Sequence, residues 1–248
     1  VTLLGQTVNS YRHGSTDFAD LLAVVARVEG IRRIRFTSPH PSAFCEKLIE
    51  TMAGEKKICR HIHLPVQSGS DDVLASMKRD YSVQGYLDLV GRLRGAMPGL
   101  CLSTDIIVGF PGESEADFSA TLGLMRTVRF DSAFMFRYSR RKGTAAHREF
   151  AETVPEEEKI RRLQETIDLQ NRISEEINLG MVGHRVEVLV EGDARKGKGR
   201  AMGKTNGFKT VVFDRGAVHD NTFVGVEVTC ATSHTLTGVV QAEARTEV

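Results

Sequence analysis

The chain has 248 residues, of which 41% are hydrophobic and 26% charged, and its formal net charge is +1. This is the make-up of a globular protein with room for one large barrel or two domains, and the charge by itself implies no partner. No apolar run approaches the length needed to span a bilayer and no signal-peptide pattern begins the chain, while a start in mid-strand leaves targeting signals upstream open.

Residues 1 to about 137 alternate strand and helix. A strand at 1–4 precedes a helix over 17–29, where Phe18, Leu21, Leu22, Val25 and Val28 recur at helical spacing and Thr16 or Asp17 can cap the first turn. The strand at 31–36 gives way to a Thr-Ser-Pro-His-Pro segment at 37–41, which no helix contains. A helix at 42–52, a strand at 62–66, helices at 71–77 and 82–97, a strand from about 101, a helix at 114–128 and a strand at 132–136 complete the series. Five strands separated by helices predict right-handed βαβ units and a parallel sheet. Because the chain opens on a strand, at least one further βα unit is expected ahead of Val1.

The strand at 102–108 is central. It carries Ile106, Ile107 and Val108, breaks at Gly109 and turns through Phe110, Pro111 and Gly112 into a helix with an acidic first turn. Strand ends of this kind form the C-terminal mouth of a parallel sheet, where ligands bind. Gly109 and Gly112 lack a Cβ and leave room for a ligand on the main chain. Similar turns follow Leu3-Leu4 at Gly5-Gln6 and follow Leu64 at 65–70, which suggests one shared pocket. Taken alone, each turn is equally well explained as a tight connection.

A basic loop spans 138–154. Pro155 and Glu156 to Glu158 then open a helix at 155–179 with Gly180 past its end. Its stripe of Ile160, Leu163, Ile167, Ile173 and Ile177 is expected to pack on the preceding domain. From His184 the pattern becomes short strands at 186–190, 199–203, 209–213, 224–230 and 235–240, the texture of a small antiparallel barrel. The expected division is 1–180 and 181–248.

Charge is uneven along the chain. Between Asp131 and Glu149 the charged residues are Arg137, Arg140, Arg141, Lys142 and Arg148. Between Asp193 and Asp214 they are Arg195, Lys196, Lys198, Arg200, Lys204 and Lys209. Each stretch is either a solvated face or a polyanion surface. For the second, the functional reading is an RNA interface, with Phe208 as a stacking face. The four cysteines, Cys45, Cys59, Cys101 and Cys230, have no metal-ligand spacing and point to a reducing, cytoplasmic compartment.

His61 and His63 could bind zinc with Asp105, as in a barrel hydrolase. His61, however, sits at the entrance of its strand, away from the mouth. Packed or hydrogen-bonded histidines are the favoured reading, and no catalytic or metal-binding residue is assigned. Gln67, Ser68 and Ser70 offer uncharged donors and acceptors suited to a zwitterionic or nucleoside ligand, and Ser70 is equally a helix cap. Asp105 needs partners if buried: it is bonded to a neighbouring strand end or it holds a ligand.

Several segments together resemble the radical S-adenosylmethionine methylthiotransferases, most closely the MiaB-type tRNA enzymes. They are the Leu-Gly-Gln-Thr-Val-Asn-Ser-Tyr run at 4–11, Arg-Phe-Thr-Ser-Pro-His-Pro at 35–41, His-Leu-Pro-Val-Gln-Ser-Gly-Ser-Asp at 63–71, Met-Lys-Arg at 77–79, Ser-Thr-Asp-Ile-Ile-Val-Gly-Phe-Pro-Gly-Glu at 103–113 and Val-Pro-Glu-Glu at 154–157. The tail resembles the RNA-associated TRAM domain. The resemblance implies a partial (β/α) barrel of the radical SAM type followed by a small OB-like β-barrel. It also implies S-adenosylmethionine and [4Fe-4S] clusters as cofactors, a tRNA anticodon stem-loop as partner, and an electron donor protein and a sulfur source. The product in the tRNA branch is a 2-methylthio group on N6-isopentenyladenosine.

Carried onto this chain, Gly5 and Gln6 approach the methionine part of the cofactor. Ser38, Gln67, Ser68 and Asp105 line its cleft, and Gly109, Phe110, Pro111 and Gly112 back the adenine. The cluster cysteines are expected ahead of Val1, so the chain alone is expected to be inactive. Thr7 stands where the family commonly has Asn, and the segment at 140–145 departs from the usual Ser-x-Arg-Pro-Gly-Thr-Pro form. The competing readings are a related branch, acting on threonylcarbamoyl-adenosine or a ribosomal protein, and a non-catalytic RNA-binding module.

Overall fold

In the computed structural model, residues 1–141, 143, 148–151 and 153–241 are described. Lys142, Thr144 and Ala145 of the departing segment lie outside them, as do residues 146–147 of the basic loop. The chain divides into two compact units, Val1–Gln170 and Asn171–Val248.

The first unit runs β1 (Thr2–Leu3), β2 (Arg12–His13), β3 (Thr16–Asp17), α1 (Phe18–Arg27), β4 (Arg35–Phe36), α2 (Glu46–Gly54), β5 (His61–His63), α3 (Asp71–Ser76), α4 (Val83–Ala96), β6 (Cys101–Val108), α5 (Glu115–Val128) and β7 (Ser132–Arg137). β1 pairs in parallel with β4, β5 with β6, and β6 with β7. A parallel bridge between Ile34 and Ile58 carries the order from β4 towards β5. Spatial order thus follows chain order, as in a (β/α) barrel and unlike a doubly wound sheet, whose strand order reverses. β2 and β3 form a separate antiparallel pair.

Local chemistry sets the element ends. Asp17, not Thr16, caps α1, in a reciprocal box with Asp20. Ser114 and Asp117 do the same for α5, and Ser70 and Ser82 cap α3 and α4. The strand expected at 62–66 stops at His63, two residues before Pro65, which has no N–H to offer a ladder. Thr104 bridges the interruption: its hydroxyl donates to the Leu64 carbonyl at 2.8 Å and accepts the Val66 N–H at 3.0 Å. Pairing resumes at Gln67, whose N–H donates to the Asp105 carbonyl.

One face of β6 is sealed by core: Leu102, Thr104, Ile106 and Val108 are buried, with Ile62, Leu93 and Met125 also fully enclosed. Each such apolar side chain contributes roughly 1.5–3 kcal/mol. The long helix α6 (Glu156–Leu179) carries the expected stripe only in part: Ile173 is buried and Leu163, Ile167 and Ile177 are half-buried. Ile160 is half exposed, while Lys159, Arg162, Thr166 and Gln170 are buried. The reason lies in an ion pair with the organising loop, described below.

In the second unit, β8 (Arg185–Asp193), β9 (Arg200–Thr205), β10 (Thr210–Asp214), β11 (Phe223–Ala231) and β12 (Thr235–Val240) close a barrel in the order β10-β12-β11-β8-β9. The β10–β12 contact is parallel and the others antiparallel, so the barrel is not purely antiparallel as expected. β11 crosses to the far side of β8, and the hairpin return β12 then lies alongside β10, the Greek-key closure of an OB-like fold. Val188, Val190, Val211, Phe213, Val226 and Leu236 fill the core. Gly203 and Gly238 sit where a Cβ would run into the Leu189 and Glu227 carbonyls of adjacent strands.

Candidate active site

Parallel pairing among β1, β4, β5, β6 and β7 sends the C-terminal ends of these strands to one rim. Gly5 and Gln6 follow β1, Ser38 follows β4, Gln67 follows β5, Gly109 follows β6 and Tyr138 follows β7. The Val8 N–H donates to the Ser38 carbonyl at 3.3 Å, tying the first two loops. Thr7, Ser38 and Gln67 all hold positive φ, at 52°, 56° and 70°. Left-handed backbone at non-glycine residues costs of order 1–3 kcal/mol each and gathers at ligand sites.

Below this rim, the open face of β5–β7 carries alternate residues. His61 and His63 project beside Ser103, and both rings share hydrogen bonds with its hydroxyl, at 3.1 and 2.9 Å. His63 Nε2 lies 3.3 Å from Asp105 Oδ1. The histidines are therefore hydrogen-bonded, and Asp105 does pair with a neighbouring strand. Its carboxylate still lines a cavity of about 400 Å³ with Gln67, Ile107, Phe136, Tyr138 and Arg141. Register sets Phe134 opposite Asp105 and Phe136 opposite Ile107.

Of the residues expected at a cofactor cleft, Gln67 and Asp105 share this cavity. Gly5, Gln6 and Ser38 lie exposed at the β1 and β4 ends and are not among its lining residues. Ser68 is fully buried, its hydroxyl 3.3 Å from that of Thr121. Gly69 lies so close to α5 that a Cβ would sit 2.6 Å from Thr121 Cα.

Gly109, at φ +72°, has its missing side chain's place filled by Lys159, whose Cγ would stand 2.5 Å from a Cβ there. Phe110 is buried against the rings of Tyr138 and Phe150, at 5.0 and 5.7 Å. Pro111 is buried, and the exposed Gly112 donates its N–H to Thr153 Oγ1 at 2.7 Å.

Glu113 closes the organising loop from within. Its Oε2 accepts the Gly109 N–H at 2.6 Å and Arg162 Nη1 at 2.7 Å, and the same Nη1 donates to the Glu113 carbonyl at 3.0 Å. Burial pushes the Glu113 carboxyl above the usual carboxylate range, with Arg162 and the Gly109 amide opposing the rise. This ion pair, not an apolar stripe, holds α6 to the loop.

Arg79 adjoins a segment tied to the rim loops, and pattern reading did not single it out. The segment at 79–81 sits between the loops after β4 and β5. Asp80 accepts from Ser42 at 3.1 Å, and the Tyr81 hydroxyl donates to the Pro65 and Val66 carbonyls at 3.3 and 3.2 Å. Arg79 Nε is buried with no hydrogen-bond partner among the described residues. An unsatisfied buried donor of this kind calls for an explanation. The signal for it was a basic pair directly after a short helix.

On the barrel, Arg195, Lys196 and Lys198 are exposed together in the β8–β9 turn, and Arg200 follows at the start of β9, its Nε 3.7 Å from Asp214. Lys204 and Lys209 belong to the other end of β9, about 15–20 Å away along a strand of this length. Lys204 lies 4.7 Å above the Phe208 ring and donates to Thr210 at 2.7 Å, while Lys209 donates to Asn178 at 2.8 Å. The six cations thus form two clusters.

Residues 1–125 match the radical SAM superfamily, and residues 180–240 match the TRAM domain. The chain belongs to the radical SAM superfamily. It is 52% identical, over 96% of its length and 54% of the relative's, to a tRNA-2-methylthio-N(6)-dimethylallyladenosine synthase of Chlorobium luteolum. A Porphyromonas gingivalis protein of the same name is 48% identical over 97% of the chain and 53% of the relative. The chain therefore spans about half the length of these curated relatives. Among solved structures, the radical SAM enzyme coproporphyrinogen III oxidase (HemN) of Escherichia coli covers 57% of this chain and 32% of its own, at 20% identity and a TM-score of 0.48. No helix among the described residues is long and apolar enough to cross a membrane.

Proposed function

We propose that this chain is the cofactor-binding and RNA-docking part of a tRNA methylthiotransferase acting on N6-dimethylallyladenosine. The observation that carries this reading is 52% identity across 96% of the chain to an enzyme named for that product. The relatives reported above carry this product's name and not that of a related branch.

S-adenosylmethionine, when bound beside a reduced iron–sulfur cluster, supplies a carbon radical and a methyl group. The rim residues suit this zwitterion. Asp105 and Gln67 face a cavity where its ammonium and ribose find acceptors. Gly5 and Gln6 approach the methionine end, Ser38 lines the cleft with Gln67 and Asp105, and the 109–112 loop backs the adenine. Ser68, buried on Thr121, holds the 67–70 turn in place. A cluster does not fit the residues present: among those described, no three His, Cys, Asp or Glu side chains gather.

The basic ends of β9 suit an anticodon stem-loop, whose phosphates need clustered cations. An electron donor protein and a sulfur source complete the reaction, and a tRNA substrate points to the cytoplasm. The test is a chimera joining this chain to the amino-terminal half of the Chlorobium luteolum relative, reconstituted with iron and sulfide. Appearance of 2-methylthio nucleoside in tRNA is expected. An inactive chimera beside an active parent would contradict the reading.

A further inference from the structure

Two large aromatic side chains stand on the open face of β7. Phe134 is 60% exposed and Phe136 is 53% exposed, although both sit on a strand that pairs along its full length with β6. They lie on the same face as Asp105 and Ile107, two register positions apart. His63 meets Phe134 edge-on, with ring centroids 5.7 Å apart, and is itself oriented by Ser103 and Asp105. The shelf begins in the cavity at Phe136 and Ile107 and continues past it to Phe134 and His63. An exposed apolar surface beside a polar cleft marks a binding site.

The chain's own chemistry indicates the occupant. β7 ends at Arg137, which pairs with Glu156 at 2.9 Å, and the chain continues to Arg140 and to Arg141, which lines the cavity. Aromatic faces leading into cations are how single-stranded nucleic acid is held: bases stack on the rings and phosphates meet the charges. The dimethylallyl group of the substrate named for the relatives is a branched hydrocarbon, which gains by leaving water. Asp105 and Gln67 are committed to the cofactor in the reading above, which leaves Phe134, Phe136 and Ile107 as the apolar surface beside it.

We infer that Phe134 and Phe136 form the shelf that receives the N6-alkylated adenine of the RNA and select for its dimethylallyl tail. This rests on the proposed methylthiotransferase reading and adds the residues that recognise the substrate.

The test is fluorescence anisotropy of this chain with a labelled anticodon stem-loop carrying either dimethylallyladenosine or plain adenosine. The wild type should prefer the alkylated RNA by about tenfold, on the scale of stacking and apolar burial. Phe134→Ala and Phe136→Ala should each reduce that preference several-fold, whereas Phe134→Tyr and Phe136→Tyr should keep it. Both positions are exposed, so unfolding should not obscure the result, and a thermal melt of each variant checks this. An unchanged preference in the alanine variants overturns the inference and leaves the methylthiotransferase reading intact. Failure of the wild type to bind either RNA overturns RNA docking by this chain, and the inference with it.

Discussion

The Val1–Gln170 unit buries Glu113, Arg162, Lys159, Ser68 and Thr104, whereas the Asn171–Val248 barrel is filled by Val188, Val211, Phe213, Val226 and Leu236 and carries Arg195, Lys196 and Lys198 exposed in a turn. In the first unit, polar groups inside the protein shape the rim loops, so substitutions at the site also disturb the fold. In the barrel, the cations lie outside the core, so binding and stability separate. The same residue classes thus act through position in one region and through surface charge in the other.

The comparison is broken most directly at Arg162. Arg162→Met leaves Glu113 charged and unpaired in the interior and should destabilise the first unit by about 3–5 kcal/mol in denaturant unfolding. Adding Glu113→Gln should recover much of that loss. Gly109→Ala should cost about 2 kcal/mol in the same assay, because a Cβ there needs positive φ and meets Lys159. A loss under half of that would mean Lys159 moves aside freely.

Acid unfolding sharpens the point. Arg161 and then Arg162 hold the Glu158 carboxyl down at about 2, against a usual 4.5. A depressed folded-state value adds stability that is present above pH 4.5 and lost as pH falls towards about 2. Glu158→Gln should therefore make the pH dependence of stability shallower within that window, as followed by circular dichroism.

The barrel should show the smallest stability effect. Charge reversal at Lys196, Lys198 and Arg200 should shift stability by no more than about 0.5 kcal/mol. The same change should weaken tRNA binding and flatten its salt dependence. Unchanged affinity would remove the RNA role from that turn. Repeating the experiment at Lys204 and Lys209 shows which end of β9 carries more of the binding.

Most of the first unit was legible from local rules. Glycine and proline marked the strand ends, β-branched runs marked β6, and Asp17, Ser70 and Ser114 marked helix starts, because these effects act within a few residues. The register of Gln67 beside Asp105 was visible only as two suggestive strand ends. The α6 stripe was incomplete because part of the helix's buried face is polar and meets a partner 49 residues away, Glu113 with Arg162, and ion pairing leaves no periodic apolar trace. Ser68 looked like a ligand contact because a hydroxyl at a mouth and a hydroxyl packed on Thr121 read alike. Phe134 and Phe136 fitted an ordinary buried strand pattern, and only the open face distinguishes them. The parallel β10–β12 contact depends on which side of β8 the β11 strand crosses, which short strand signals do not encode.

Calorimetric titration of S-adenosylmethionine into this chain tests the central claim that the rim loops converge on one ligand site. Saturable binding is expected, weakened about tenfold or more by Gln67→Ala and by Asp105→Asn, each of which removes a polar contact in the cavity, and untouched by the barrel charge reversals. Absence of binding, or binding indifferent to both rim substitutions, would contradict it.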